Sequence, residues 1–371
     1  MYLTELRFKN FRNLKDEVLF PCRGVNVVCG GNANGKTNIL EGIWLFCGGH
    51  SFRRAKESEL INFKSESALA QACFFSGGYE QTIKAVYTKD KRELYLNGIQ
   101  KSGAQASQRF PAVVFFPDNM TLVKNGPDER RRFLDGAAAK RKIKYAAVLS
   151  KFSKTLRQRN ALLKEIYKNP SLEEILSVWD KSLSFLAAQL ICEREEYVRL
   201  LSESAALIHR GISENREKLE IRYVSTVKYK NVDNFEEIEE IYLKQLKERR
   251  KEDIRYAATS VGPHRDDIEI MLNSNAARSY ASQGQQRSIV ISLKLAEADI
   301  LAQNFGEEPI IILDDVLSEL DLKRQDFLLN RILNRQVFLS CCGPMDLGKL
   351  SYGKVFSVSD GAVREETEKE G

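Results

Sequence analysis

Two short segments near opposite ends of this chain constrain it most. Residues 30–37 read Gly30-Gly31-Asn32-Ala33-Asn34-Gly35-Lys36-Thr37, a full match to G-x-x-x-x-G-K-[ST]. The run Val25–Cys29 before it is β-rich, and Lys36 to about Cys47 reads as a helix. Glycines at 30 and 35 let the backbone turn so that its N–H groups point inward at a polyphosphate, and the helix N-terminus adds its dipole. Lys36 then reaches the β- and γ-phosphates, the Thr37 hydroxyl is a Mg²⁺ ligand, and Asn38 follows in the first turn. Far downstream, Pro309–Leu313 is a continuous apolar run ending in Asp314-Asp315. Such a run reads as a strand buried on both faces. A carboxylate at its end, Asp314, suits a Mg²⁺ site, and Asp315 is placed to polarise an attacking water. Lys36 and Asp314 must meet the same Mg-nucleotide. The first and last thirds of the chain therefore have to share one sheet, with the middle inserted between them.

The middle has its own texture. From Arg130 to Lys168 there are 13 Lys/Arg against two acids, within a chain of net charge +6. That excess favours a phosphate backbone as partner. The DNA-contact candidates are Arg130, Arg131, Arg132, Lys140, Arg141, Lys142, Lys144, Lys151, Lys154, Arg157 and Arg159, with a solvated helix face as the plainer account. Lys124 to Ile212 reads as long, charged helix. Leu183, Leu186, Leu190, Tyr197, Leu200 and Leu207 fall near heptad spacing, which suggests local helix packing. The expected organisation is an α/β head from residues 1–123 and 258–371, with a mainly helical lobe, 124–257, inserted.

No uninterrupted apolar run approaches the ~20 residues of a bilayer span, and the N-terminus has no signal-peptide pattern. A cytoplasmic location without a membrane partner is expected. Seven cysteines without a C-x-x-C pair argue for reduced thiols, and adjacent Cys341-Cys342 read as small residues ending a strand. An Asn97-Gly98 turn between Leu94–Leu96 and Ile99 signals a hairpin, as does Asp360-Gly361 between Val355 and Arg364.

Ser282-Gln283-Gly284-Gln285 opens another helix. By itself Ser282 is an ordinary N-cap. The four residues also resemble the ABC-type signature, with Gln283 in place of a glycine, and Ser318-Glu319-Leu320-Asp321 resembles the D-loop of the same superfamily. That resemblance implies a signature acting in trans on a nucleotide bound to a second protomer, and an ATP-dependent homodimer.

The likeness extends further. Leu6–Asn13, the P-loop, Ser51-Phe52-Arg53, Arg130–Asp135, Gly262-Pro263-His264-Arg265-Asp266-Asp267 and Asp314–Asp321 are similar to the RecF family, whose heads are related to those of Rad50 and SMC proteins. The likeness is weakest from about 165 to 255. It implies an ABC-type ATPase head, slow ATP hydrolysis and dimerisation on double-stranded, gapped or junction DNA. It further implies work with RecR and RecO to load RecA in recombinational repair, replication-gap processing and the SOS response. Some positions depart from the transporter form of the superfamily. Leu339-Ser340-Cys341-Cys342 stands where a switch histidine is usual, no glutamine follows the Val113–Phe116 strand, and Asp315 replaces a glutamate. These changes suggest weak hydrolysis and a switch; stimulation by DNA is what the resemblance implies. Arg53 either reaches the phosphates or pairs on the surface, and Arg12 either sits over the adenosine or caps the first hairpin. His264-Arg265 is equally explained as a polar turn. A cytosolic ABC subunit driving a transporter or translation partner, and a small-molecule kinase, are the competing readings.

Overall fold

The computed structural model describes residues 1–166, 168–341 and 353–366, without the side chain of Met120. In chain order the first elements are β1 (Tyr2–Phe11), β2 (Leu14–Leu19), β3 (Val25–Cys29), α1 (Lys36–Leu45), β4 (Ser67–Ser76), β5 (Tyr79–Thr88), β6 (Arg92–Leu96), β7 (Ile99–Lys101), α2 (Gly103–Ser107) and β8 (Ala112–Phe115). The middle holds α3 (Pro127–Arg141), α4 (Ile143–Ile166), α5 (Leu176–Ile212), β9 (Leu219–Val224), α6 (Phe235–Glu248), α7 (Arg250–Tyr256), β10 (Asp267–Leu272), β11 (Asn275–Ala276) and α8 (Ala277–Tyr280). The chain ends with α9 (Gln283–Phe305), β12 (Ile310–Leu313), α10 (Leu322–Ile332), β13 (Val337–Cys341), β14 (Gly353–Ser359) and β15 (Ala362–Glu366).

These elements form two compact units, residues 1–121 with 287–371, and residues 122–286. In the first, one six-stranded sheet runs β15-β14-β3-β13-β12-β8 and the other β2-β1-β4-β5-β6-β7. In the former, β3, β8, β12, β13 and β14 pair in parallel. The central strands β8 and β12 are apolar and buried throughout because both faces are covered; β3 and β13 are buried too but carry the polar Asn26 and Ser340, and β14 is buried only at Phe356 and Val358. The other sheet is antiparallel, and its strands alternate buried with less buried positions. Helix α1 packs on β1 as well as on β8, β12 and β13, placing Ile39, Leu40 and Ile43 between the sheets. The two ends of the chain are tied directly: the Leu3 amide donates to Gln336 Oε1 at 2.7 Å, and Gln336 Nε2 donates back to Leu3 O at 2.9 Å.

The second unit has a three-stranded sheet, β11-β10-β9, beside its helices. Because β10 pairs with β9, residues 258–286 cluster here, and the boundary falls at Gln286/Arg287, past the 257/258 expected from texture. The seam of α5 also differs from the heptad expectation. Leu183, Leu186, Leu190 and Tyr197 are buried, but Leu207 is 68% exposed. The buried line continues instead through Leu201, Ala205 and Ile208. By length and composition 170–212 passes for a membrane-crossing helix, although no uninterrupted apolar run marks it; half of its most apolar stretch is buried within the protein.

Candidate functional site

The loop between β3 and α1 has the backbone its sequence demands. Gly30 has φ 149° and Gly35 φ 118°. A Cβ on Gly30 would lie 2.3 Å from Val358 O, so the position excludes a side chain on steric grounds as well. Lys36 is 8% exposed and folds back over the loop, its Nζ donating to Gly30 O (2.7 Å) and Gly31 O (3.0 Å). Asn34 is a tether: its Nδ2 donates to Val358 O, and its carbonyl accepts from Asn13 Nδ2 and from the Gly361 amide.

Asp314, at the end of β12, is brought to the next residue of the same loop. Thr37 Oγ1 donates to Asp314 Oδ1 at 3.0 Å, and Ser340 Oγ at the end of β13 donates to the same oxygen at 2.8 Å. Burial pushes the Asp314 carboxyl above its ordinary value, against these two hydroxyl bonds; the adjacent Asp315 adds to the rise. A hydroxyl beside a carboxylate is the kind of oxygen pair a hard divalent cation takes, so Thr37 and Asp314 fit such an ion. Asp315 is exposed with φ 52°, a conformation disfavoured for a residue with a Cβ. Its amide donates to Ser340 Oγ (2.9 Å), and Ser318 Oγ donates to its carbonyl (2.9 Å). Ser340 thus joins both aspartates, a role the sequence did not suggest; Cys342 lies outside the described residues.

These groups border a cavity of about 460 Å³, lined among others by Asn32, Ala33, Gly35, Lys36, Thr37, Asn38, Arg12, Arg53 and Asp315. Arg53 is exposed, and its Nη1 donates to Asn38 Oδ1 at 3.1 Å. Arg12 is more constrained. Its Nε and Nη2 grip both oxygens of Glu41 at 3.0 Å, and its Nη1 donates to Glu59 O. Glu41 is fully buried and also accepts from Ser51 Oγ. The same wall carries Asn13, the last residue of the Leu6–Asn13 motif, and Asn62 and Phe63, which sequence reading passed over because they sit in a turn without a motif.

Ser282 and Gln283 are exposed in the second unit. Ser282 forms a reciprocal cap: Gln285 N donates to Ser282 Oγ (3.3 Å), and Ser282 N donates to Gln285 Oε1 (2.7 Å). Gln285 Nε2 also reaches Glu217 Oε1. Asp321 caps α10, accepting from Arg324 N at 3.0 Å, which holds its carboxyl below the ordinary value.

The basic run is divided by burial. Arg130 is 5% exposed and pairs through two nitrogens with Asp267, each at 2.8 Å. Arg159 is wholly buried, with Asp180, Asp253 and Thr259 each at 2.8 Å. Neither can meet a phosphate on the surface, which corrects the expectation for both. Lys140 is also buried. Arg131 donates to Asp266 O and pairs with Asp128, and Arg132 pairs with Glu129. Arg141 binds Glu196, and Lys142 binds Glu193 and Glu196. Lys144, Lys151, Lys154 and Arg157 are exposed along α4 and make no ion pair among the described residues. His264 fits the polar-turn account: it is largely buried, its Nε2 lies 2.9 Å from Thr259 O, and burial lowers its pKa.

Fold and site together define a P-loop head of the type found in SMC ATPases. Residues 2–342 match the family described as RecF/RecN/SMC N terminal domain. The chain is 37% identical over 343 residues to the DNA replication and repair protein RecF of Acetivibrio thermocellus, covering 92% of this chain and 93% of that protein. It is 38% identical over 366 residues to the protein of the same name from Pelotomaculum thermopropionicum, covering 98% and 100%. A solved structure described as the recombination mediator protein RecF-ATPrS in the RecFOR pathway superposes with a TM-score of 0.93 at 36% identity, over 99% of this chain and 98% of that one. An SMC head bound to the C-terminal winged-helix domain of ScpA shares the fold at TM-score 0.56 and 17% identity, over 100% and 99%. The chain belongs to the RecF family.

Proposed function

We propose that this protein is an ATP-gated DNA-binding switch of recombinational repair and replication-gap processing. The observation that carries the reading is the convergence of Lys36, Thr37, Asp314, Asp315 and Ser340 at the phosphate loop. Lys36 would leave its own loop carbonyls to neutralise the β- and γ-phosphates of ATP. Thr37 and Asp314 would hold Mg²⁺, which supplies further neutralisation of the triphosphate charge. Asp315 would orient the attacking water, and Arg53 would approach the phosphates from its exposed position. Arg12 would serve by position, since its guanidinium charge is already engaged by Glu41. The solved relatives, described as RecF with ATP and with ATPrS, support the ligand.

Closure is proposed to need a second copy. Ser282, Gln283, Gly284 and Gln285 of one protomer would complete the phosphate site of the other, with Ser318 and Asp321 at the same interface. Exposure of Ser282 and Gln283 supports this, because both are free of burial in the single chain. Duplex DNA would meet the exposed α4 side chains Lys144, Lys151, Lys154 and Arg157. The RecFOR context of the relatives supports RecR and RecO as partners, with RecA loading downstream and a place in the cytoplasm. Hydrolysis is proposed to be slow, Ser340 standing where a histidine would otherwise assist.

The test is self-association by light scattering with ATP, with and without gapped duplex, for wild type, Lys36→Met and Ser282→Arg. ATP-dependent dimers lost in both variants support the reading. Nucleotide-independent dimers, or DNA binding by Lys36→Met equal to wild type, would count against it.

A further inference from the structure

Gln285, in the first turn of α9, is held at both ends of its side chain. Its Oε1 accepts from the Ser282 amide at 2.7 Å, and its Nε2 donates to Glu217 Oε1 at 2.8 Å. The second bond decides which way round the amide sits. A carboxylate only accepts, so it takes the NH₂ end of Gln285 and leaves the carbonyl end for the Ser282 amide. Glu217 has a partner on its other oxygen. His209 Nε2, in the last turn of α5 and wholly buried, lies 2.9 Å from Glu217 Oε2. The segment that carries Glu217 is pinned on two sides. The Lys218 amide donates to Asn273 Oδ1 at 2.8 Å and the Asn273 amide to Lys218 O at 2.9 Å, while the Ile221 amide donates to Ser202 Oγ of α5 at 3.1 Å. All of these residues belong to the second unit.

The contacts run His209–Glu217–Gln285–Ser282, from a buried imidazole to an exposed hydroxyl. Ser282 Oγ accepts from the Gln285 amide at 3.3 Å, so its own proton stays available to a ligand. We propose that Glu217, held by His209, is a positioning residue: it fixes Gln285, and through it sets Ser282 for the phosphate of a nucleotide bound to a second copy of this chain. This rests on the reading that Ser282 acts in trans. Glu217 itself touches no nucleotide. Without it the Gln285 side chain can turn over, and Ser282 must then be ordered at the moment the phosphate arrives, which costs affinity between the two copies. Glu217 lies 68 positions before Gln285 and outside any motif, so only the fold brings the two together.

Glu217→Met, Glu217→Gln and Gln285→Leu, the last also combined with Glu217→Met, test it in the full chain. Glu217 sits between α5 and β9 with its side chain 20% exposed, so its replacement leaves the helices and strands intact. Self-association in Mg-ATP is followed by light scattering over a concentration series. Calorimetric affinity for Mg-ADP, which lacks the γ-phosphate, reports the phosphate loop alone. Glu217→Met should weaken ATP-dependent self-association by about 2- to 150-fold, the range over which residues of one hydrogen-bond network couple, and leave Mg-ADP affinity unchanged. Glu217→Gln, which keeps an acceptor for Gln285, should associate like wild type. In the Gln285→Leu background Glu217→Met should add nothing. Unchanged self-association in Glu217→Met overturns the inference. So does a loss that adds in full to that of Gln285→Leu, a loss in Glu217→Gln as large as in Glu217→Met, or an equal weakening of Mg-ADP, which would mark a general structural defect. Wild type that fails to self-associate with ATP overturns the two-copy reading as well; ATP-dependent dimers indifferent to Glu217 overturn this inference alone.

Discussion

In the first unit, polar side chains from six separate stretches gather on an open cavity: the 10–13 turn, the phosphate loop, Arg53, the 59–63 segment, the end of β12 and the end of β13. In the second unit, the densest basic run of the chain is consumed largely by the protein's own carboxylates. Arg159 sits between Asp180 and Asp253, and Arg194 of α5 meets Asp135, Tyr145 and the Pro263 carbonyl while 2% exposed. Charge density along a sequence therefore means different things in the two units. In one it marks groups held ready for a ligand. In the other much of it marks internal ion pairs, and removing one partner of such a pair strands the other.

The comparison predicts that the same kind of substitution will separate binding from stability. The largest effect on binding is expected at Lys36: Lys36→Met should weaken Mg-ATP by on the order of 100-fold or more, through loss of a charge-assisted donor, with little change in the unfolding midpoint. Calorimetric titration beside a urea melt checks it; a cooperative loss of stability instead would erase the contrast. Next, Arg159→Leu should destabilise the protein by about 3–5 kcal/mol, since Asp180 and Asp253 would be left buried and short of a cation. Urea melts read this directly. Lys151→Ala and Lys154→Ala, on the same helix, should move stability by no more than about 0.5 kcal/mol.

A smaller effect sharpens the distinction within α4. Replacing Lys144, Lys151, Lys154 and Arg157 should flatten the salt dependence of duplex binding by a slope of about 0.9 for each phosphate that these side chains no longer neutralise. Fluorescence anisotropy over a salt series measures it, and an unchanged slope would make this face a solvated one. The smallest effect concerns Asp314. Its folded pKa is raised by burial, so above the unfolded value near 4 the unfolded state ionises more readily, and folding stability falls as pH rises through that window. Asp314→Asn should then be more stable than wild type at neutral pH, with the gain vanishing as pH drops below about 4. Thermal melts from pH 3 to 8 check the sign. A variant less stable at pH 7 would mean that the Thr37 and Ser340 hydroxyls stabilise the anion more than burial opposes it.

Much of the first unit was legible because its signals are local. The run Val25–Cys29, the glycines at 30 and 35 and the Pro309–Asp315 stretch each carry their conformation in a few adjacent residues, and they appear as β3, the loop and β12. Both Asn-Gly and Asp-Gly turns appear as hairpins, with Asn97, Gly98, Asp360 and Gly361 all at positive φ. The seam of α5 was less legible: Leu207, at the expected spacing, is exposed, while Leu201, Ala205 and Ile208 carry the buried line. The cavity wall was least so. Glu41 looks like any helical glutamate until Arg12 and Ser51 close on it.

By itself the sequence determined that a phosphate loop and a strand-end aspartate belong to one site, since each chemical group is inert without the other. It also determined the hairpins and the buried strands, whose conformations follow from neighbouring residues. Only the tertiary structure decided which of the basic residues remain exposed, because ion pairs such as Arg130–Asp267 join positions far apart in the chain. It alone set Phe63 beside the phosphate loop, because that placement depends on hydrogen bonds from the 60–65 turn to residues 10–12 and from Asn13 to the loop. Local propensity fixes what a segment becomes; long-range pairing fixes what it is left facing.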